Sequence, residues 1–253
     1  MAVLDFEADV WRRSLDLPRG KEPAVLILEG TWWREAAIRN RLVLLDDVRE
    51  LAFPEMFIGT RSGLSVAYCC AYGAARAAEP AHVFAQIGTP LLIQIGTCGG
   101  LVPDLATGAV VLPETCRACD GVSEIYGGGS DVALDGRWIE RAQAHLADLS
   151  IAARRTKHIT WPSLFAQTDA MCAEWARAGF ASVDMETSVV ATIARRYGVS
   201  AVALLSVWDD LRGGRTFLDP LDAAEAAALS RSNDAVFTVA LNLAEEVVSR
   251  SAA

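Results

Sequence analysis

Residues 182–211, SVDMETSVVATIARRYGVSAVALLSVWDDL, carry the pattern around which the rest of the chain is organised. Apolar residues recur at helical spacing over residues 187–197, and Gly198 follows at the position where a glycine commonly ends a helix. Residues 201–207 are a short apolar run, which is typical of a strand buried on both faces. The stretch therefore predicts a helix followed by a buried strand.

Four carboxylates flank these two elements. Asp184 and Glu186 precede the predicted helix, and Asp209 and Asp210 follow the predicted strand. Open α/β sheets bind ligands at the carboxyl ends of their strands, so this position favours a functional role. Asp is also common at helix caps and in loops. The spacing alone therefore leaves open a purely structural role, in which Asp184 caps the helix and Asp209 opens a loop.

The composition indicates a folded globular protein. The chain has 253 residues, of which 52% are hydrophobic, and this is enough for one large α/β domain or two small ones. The formal net charge of −9 argues against a nucleic-acid partner. No apolar run approaches the roughly 20 residues that span a bilayer, and the first residues are acidic where a signal peptide is basic. We therefore predict no membrane partner.

The six cysteines do not form a recognisable site. Cys116 and Cys119 have CxxC spacing, but no second pair and no nearby histidine completes a zinc site. We predict no metal, and we expect reduced thiols in a cytoplasmic protein.

The first predicted strand, residues 24–29, leads into a possible anion site. Gly30 follows the strand, and Thr31 is expected to cap a helix that extends to about residue 41. A strand, a glycine turn and a helix N-terminus together can bind an anion, and Arg34 could add a positive charge. The alternative is an ordinary turn with a solvated arginine.

A second candidate site follows the strand predicted at residues 91–95. The sequence GTCGG at residues 96–100 is expected to form a turn whose backbone N–H groups approach a ligand. The remaining pattern predicts strands at 42–48, 56–59, 64–70, 108–112 and 155–160, and helices at 74–87, 137–149, 170–178 and 221–248, with a flexible loop at 116–136. Pro80 predicts a late start or a kink in its helix. Alternating strands and helices predict a single α/β domain over residues 1–253.

Three motifs, GTCGG at 96–100, VDME at 183–186 and SVWD at 206–209, resemble the nucleoside phosphorylase superfamily in their order and separation. The resemblance is to the branch of purine nucleoside phosphorylases and uridine phosphorylases, which also contains nucleosidases, and it covers about residues 25–246. It implies one α/β domain with a mixed, barrel-like β-sheet surrounded by helices. It also implies a homo-oligomer, a hexamer or a dimer, in which a neighbour completes each site.

The resemblance implies phosphorolysis of a nucleoside, in which inorganic phosphate is the co-substrate and no other cofactor takes part. Gly30 and Arg34 match the first phosphate-binding turn, and Thr97 matches the phosphate-binding hydroxyl. Gln94 stands where the family has a main phosphate-binding arginine. Gln can donate a hydrogen bond but carries no charge.

The sugar and base sites are implied by the same resemblance. Met185 and Glu186 match the pair that binds the ribose, and Tyr72 takes the place of a Met in the sugar pocket. Phe165 matches an aromatic residue that stacks on the base, and Trp208 replaces the small serine that precedes the catalytic Asp in the family. Asp209 matches the acid that protonates the leaving purine, a role that requires a raised pKa; Asp210 and Trp208 are expected to raise it if they share the site.

Departures from the family pattern leave three functions open. No arginine near Phe53 matches the one that a neighbouring subunit donates, and the arginine that assists the acid has only Arg215 and Arg231 nearby. Phosphorolysis of a purine-type nucleoside is the first hypothesis; Gln167 lies near a pyrimidine-reading position, but no arginine follows at the expected spacing. Gln94 favours the second, a nucleosidase that uses water. The third is a non-catalytic nucleoside-binding protein.

Overall fold

The computed structural model describes residues 6–251, and its strands all belong to one mixed sheet with helices packed around it. Residues 1–5 and 252–253, the two ends of the predicted domain, lie outside the described residues. The elements are α1 (Ala8–Leu15), β1 (Val25–Gly30), α2 (Arg34–Leu42), β2 (Asp46–Glu50), β3 (Met56–Arg61), β4 (Leu64–Cys70), α3 (Ala74–Ile87), β5 (Leu91–Gly100), β6 (Val110–Ala118), α4 (Val122–Ile125), β7 (Asp131–Ala133), α5 (Gly136–Asp148), β8 (Ala153–Thr160), α6 (Asp169–Arg177), β9 (Ser182–Asp184), α7 (Thr187–Tyr197), β10 (Ser200–Asp210) and α8 (Ala223–Ser251).

Five strands close into a ring. The order runs from β5 through β10, β6, β8 and β9 and returns to β5. From β5 the sheet also continues outward through β1, β4, β3 and β2, while β7 pairs with β6. The predicted fold class, α/β with a mixed and barrel-like sheet surrounded by helices, is confirmed.

The strand β5 changes partner along one of its sides. Residues 91–96 pair with β1 in parallel, whereas Gly99 and Gly100 pair with β9 in antiparallel orientation. The strand β10 pairs along the other side of β5. The neighbours β1 and β9 therefore diverge beside Thr97 and Cys98, and we call this point the β5 fork. A crevice between diverging strands is a common ligand site in α/β proteins.

The glycine-rich stretch forms strand and not the predicted turn. Residues 96–100 are the second half of β5 and are paired with β10. A Cβ atom on Gly96, whose φ is +146°, would lie 2.3 Å from the backbone oxygen of Gly30. A Cβ atom on Gly30 would lie 2.5 Å from Oε2 of Glu186. Gly96 thus allows β5 to approach the backbone of β1, and Gly30 allows the side chain of Glu186 to approach β1. Sequence spacing does not reveal these contacts.

Several other sequence predictions were wrong at the level of boundaries. The helix α2 begins at Arg34, because Thr31 does not cap it: its Oγ1 accepts a hydrogen bond from the backbone N–H of Trp33 (3.2 Å). Residues 42–48 are not one strand, since α2 runs to Leu42. Residues 116–136 contain the end of β6, α4 and β7, so they are not simply a loop. The helix α3 begins at Ala74 as predicted, without the late start expected from Pro80.

A buried ion pair fixes α2 against β1 below the turn that joins them. Arg41 donates from Nε and Nη2 to the two carboxylate oxygens of Glu29, each at 3.0 Å, and Tyr68 donates to Glu29 at 2.8 Å. Both charged side chains are less than a tenth exposed. Within residues 6–251, no helix is both long and apolar enough to cross a membrane.

Candidate active site

A cavity opens at the β5 fork and brings most of the predicted site residues together. It is lined by Gly30, Thr31, Trp32, Trp33, Tyr72, Thr97, Cys98, Gly99, Leu164, Gln167, Val183, Asp184, Met185, Glu186, Trp208, Asp209, Leu211 and Phe217. Seven of the ten predicted residues are in this set. The exceptions are Arg34, Gln94 and Phe165.

A β-bulge in β10 explains why two consecutive residues, Trp208 and Asp209, both face the cavity. Val207 pairs with Cys98 and Asp209 pairs with Gly99, so Trp208 is an extra residue without an opposite partner. Successive side chains of a regular strand point to opposite faces, and a bulge re-aims them. Thr107 Oγ1 donates to the backbone oxygen of Trp208 at 2.8 Å and holds the bulge.

The carboxyl group of Asp209 has the properties of a general acid. Burial raises its pKa to about 6, partly offset by a hydrogen bond from the backbone N–H of Phe217. Its Oδ1 has no hydrogen-bond partner within the described part of the chain. A carboxylic acid with a pKa near neutrality can donate a proton at physiological pH. The expected contribution of Asp210 was wrong, because Asp210 does not line the cavity and its Oδ1 accepts from the N–H of Gly213 at 3.0 Å.

Glu186 lines the same cavity as Asp209 and lies just before α7. It is 3% exposed, its Oε1 accepts from the backbone N–H of Gly73 at 2.5 Å, and its Oε2 accepts from that of Met185 at 3.3 Å. Burial and the nearby charge of Asp184 raise the pKa of Glu186 to about 8. The cavity thus contains two carboxyl groups with raised pKa values.

The side of the cavity where phosphate is expected has polar groups but no positive charge. Gly30 and Thr97 line it, while Gln94 is buried behind it and donates from Nε2 to the backbone oxygen of Ile95 at 3.0 Å. Arg34 points away and pairs with Glu55 at 3.1 Å, with half of its side chain exposed. Among the described residues that line the cavity, none is Lys, Arg or His.

Aromatic side chains form the mouth of the cavity, and sequence reasoning missed three of the lining ones, Trp32, Trp33 and Phe217. Trp32 contacts the rings of Tyr72, Phe165 and Phe217 at centroid distances of 5.5, 6.0 and 6.1 Å. Phe165 is 76% exposed and lines an adjoining cavity that shares Asp209 and Phe217. The tandem tryptophans at positions 32 and 33, one intervening residue after Gly30, were the available signal for Trp32. Phe217 had none, because its loop is joined to the site only by the fold.

Asp184 belongs to the cavity wall and also caps α7. Its Oδ2 accepts from the N–H and Oγ1 of Thr187 at 2.9 and 2.5 Å, and its Oδ1 lies 2.7 Å from Thr160 Oγ1 and 2.9 Å from His158 Nε2. Asp184 therefore caps the helix, as the structural interpretation of the sequence allowed, and it also lines the cavity. Sequence periodicity could not identify His158, which is fully buried in β8.

Arg215 and Arg231, the arginines nearest to the family position that assists the acid, do not line the cavity. Arg215 pairs with Glu225 and donates to the backbone oxygen of Pro220 at 3.0 Å, and Arg231 is exposed on α8. Over residues 6–251, no group of three or more His, Cys, Asp or Glu side chains could hold a metal ion. Cys116 and Cys119 are free thiols.

Relatives with known names match about half of the chain. A purine nucleoside phosphorylase of the DeoD type from Caldanaerobacter subterraneus is 28% identical over 154 residues, which is 56% of this chain and 66% of the relative. One from Alkaliphilus metalliredigens is 28% identical over 138 residues, or 53% of this chain and 59% of the relative. The chain thus aligns with less than two thirds of the length of these relatives.

The fold is similar to that of a solved uridine phosphorylase. The crystal structure of the enzyme from Vibrio fischeri superposes with a TM-score of 0.76, covering 92% of this chain and 94% of that one, at 18% sequence identity. This likeness concerns the fold alone. A family model described as the phosphorylase superfamily matches residues 37–249, which is well over half of the chain. The chain belongs to the phosphorylase superfamily.

Proposed function

We propose that this protein cleaves the N-glycosidic bond of a purine-type nucleoside and transfers the pentose to inorganic phosphate. The products are the free base and a pentose 1-phosphate. The observation that carries the proposal is the half-buried carboxyl of Asp209, which has a pKa of about 6 and an enclosed oxygen, Oδ1, without a partner in the described part of the chain. Bond cleavage leaves an electron-rich base, and a positioned acid must protonate it.

Each remaining group takes a role that follows from its position around Asp209. Glu186 and Met185 bind the sugar, and Tyr72 closes the sugar pocket. Trp208 and Phe165 flank the base, since aromatic faces stack on planar rings. The DeoD-type names of the relatives support a purine. Gln167 lines the cavity and keeps a pyrimidine within the range to be tested.

The phosphate site in this proposal consists of neutral donors. Thr97 supplies a hydroxyl and Gly30 a close approach of the backbone. Arg34 reaches the site only by leaving Glu55, and Gln94 contributes through its amide. Phosphate is the co-substrate, and no metal or organic cofactor takes part.

Hydrolysis is the second candidate, and the charge of the cavity favours it. Three carboxyl-bearing residues, Asp184, Glu186 and Asp209, line the cavity without a cationic residue among the described ones. Phosphate is usually bound by arginine or lysine, whereas water requires no positive charge. If a neighbouring subunit of a homo-oligomer supplied a cation to the cavity, phosphate binding and therefore phosphorolysis would be favoured. We propose that the protein is a hexamer or a dimer. We also propose that it acts in the cytoplasm.

The deciding experiment measures base release from adenosine, inosine, guanosine and uridine, with and without phosphate. Release that requires phosphate and yields pentose 1-phosphate supports phosphorolysis. Equal release in phosphate-free buffer, with free pentose as product, replaces it with hydrolysis. Binding of a nucleoside without any release would instead indicate a non-catalytic binding protein. The same samples, analysed by light scattering, give the oligomeric state.

A further inference from the structure

Glu186 is buried among neutral hydrogen-bond donors. The two hydrogen bonds that its carboxyl group receives come from the backbone N–H groups of Gly73 and Met185. The side chain is almost fully buried, which favours the uncharged form of a carboxyl group. The two backbone donors and the N-terminus of α7 oppose this effect, because both favour the carboxylate.

The side chain that meets Glu186 behind Gly30 is also neutral. A Cβ atom on Gly30 would lie 2.5 Å from Glu186 Oε2 and 3.0 Å from Gln94 Nε2, so both side-chain ends converge there. The Nε2 group of Gln94 donates to Ile95, and its Oε1 has no partner within residues 6–251. An arginine at this position would stabilise a carboxylate, whereas an amide does so only weakly.

Asp184 places an ionised carboxylate beside Glu186, and His158, whose Nε2 lies 2.9 Å from Oδ1 of Asp184, is the group that favours this ionisation most. Burial opposes its ionisation, but His158, Thr187 and Thr160 outweigh that effect and hold the pKa of Asp184 below its usual value. Ser182 Oγ lies 2.8 Å from Nδ1 of His158 and orients the ring from behind. The carboxylate is therefore locked in place and ionised, and like charges at short range disfavour a second ionisation.

The other titratable groups facing this part of the cavity do not compensate. Tyr72 follows β4, Cys98 lies in β5 and Asp209 in β10, and each is neutral or acidic. Burial and the charges of Glu186 and Asp209 raise the pKa of Tyr72 to about 12. Burial raises the pKa of the Cys98 thiol well above its usual value. No lining residue in the described chain offers Glu186 a positive charge.

We propose that Glu186 works as a neutral carboxylic acid that donates a hydrogen bond to the bound nucleoside, and that Asp184 is a positioning residue that keeps it in this form. The donor role rests on the proposed function, whereas the protonation state is a property of the free protein. A neutral Glu186 also removes one negative charge from the cavity that phosphate must enter.

The first test needs no substrate. The protein is labelled with ¹³C at the glutamate side-chain carboxyl, its NMR signals are followed from pH 4 to pH 10, and Glu186→Gln identifies the signal of Glu186. We expect a midpoint near pH 8, and a midpoint below pH 6 would overturn the proposal. Asp184→Asn is expected to lower the midpoint by at least one pH unit. The control Asp120→Asn removes a buried carboxyl that bonds Ser123 and Ser188 outside the cavity, and it should leave the midpoint unchanged.

The second test measures the affinity of the intact protein for adenosine by calorimetry between pH 6 and pH 9.5. If only the protonated form binds, affinity falls about tenfold per pH unit above pH 8. Constant affinity across this range would overturn the donor role while the NMR titration still reports the protonation state. Failure of adenosine to bind at any pH would count against the proposed function and the donor role together, and the NMR titration would remain valid.

Discussion

Asp209 and Glu186 share one cavity but differ in what fixes their protonation. The pKa of Asp209 is raised mainly by burial and further by the charge of Asp219, whereas Asp210 turns away to hold Gly213. Glu186 is affected by burial and by a neighbouring carboxylate. Sequence resemblance indicated both residues, but their environments depend on side chains that the fold brings from other strands. The resemblance indicated both positions and a raised pKa for Asp209, whereas the groups that set the two pKa values could not be read from the sequence.

If Asp209 is the general acid, activity should fall when its acidic proton is lost, either by substitution or by a rise in pH. Asp209→Asn should lower kcat by about 10²- to 10⁴-fold, the usual contribution of a general acid, because the amide has no acidic proton. In the wild type, kcat/KM should fall as pH rises above about 6, where the free enzyme loses this proton. Steady-state base release over pH 5–9 measures both effects.

The neighbouring residue provides the control for this prediction. Asp210→Asn changes an acidic residue of the same strand that does not line the cavity, so its kcat should stay within about twofold of wild type. An equal loss in both variants would mean that the Asp209 effect is structural. Unchanged turnover in Asp209→Asn would assign the acid to another group.

Trp32 is the central ring of the aromatic mouth and should contribute to binding. Trp32→Ala removes contacts with Tyr72, Phe165 and Phe217, and we expect KM to rise about tenfold with little change in kcat. Ile125→Ala, at an equally apolar and 78% exposed position away from the cavity, is the control. A loss confined to kcat would show that Trp32 affects the chemical step instead.

At the scale of elements, long periodic segments were predictable and short ones were not. The helices α3 and α7 have the boundaries that their patterns indicate, because each presents a continuous apolar stripe and ends at a glycine. The strand β9 has three residues, too few to show any alternation. The bulge at Trp208 also leaves no mark in the sequence, since it exists only through the register between β10 and β5.

The pair formed by Arg41 and Glu29 predicts how strongly α2 depends on a buried charge. Arg41→Ala leaves the buried Glu29 carboxylate with Tyr68 but without its cationic partner, and breaking such a pair typically costs about 3–5 kcal/mol of unfolding free energy. Arg39→Ala, on the exposed face of the same helix, should change it by less than about 0.5 kcal/mol. Urea denaturation of the three proteins measures this difference. Equal stability of both variants would show that the pair does not hold the helix.

At the scale of the whole molecule, ring closure was available only through resemblance. The contact of β5 with β10 joins segments about 100 residues apart, and no local pattern specifies such a pairing. The alternation of strands and helices predicted the α/β class and the composition predicted a large core, but the position of the cavity follows from the change of partner at the β5 fork.

The closed ring predicts a single cooperative unfolding transition, which is the behaviour of one domain. Each ring strand pairs with two others of the ring, so loss of one strand exposes the core to which the rest contribute. Circular dichroism and tryptophan fluorescence should therefore give coincident denaturant midpoints. Two separated midpoints would instead indicate that the outer strands β2, β3 and β4 unfold as an independent unit.

Binding of a ligand at the β5 fork should also stabilise the pairing of the strands in the sheet. Under the proposed function, a nucleoside in the cavity contacts residues that follow β1 and residues that follow β9, two strands that are not paired with each other in the described sheet. Through these contacts, the ligand connects the ring of strands to the outer half of the sheet. Any free energy it gains by binding is therefore also resistance of the strands to separation. The bound protein should be stiffer at its centre, far from its surface loops.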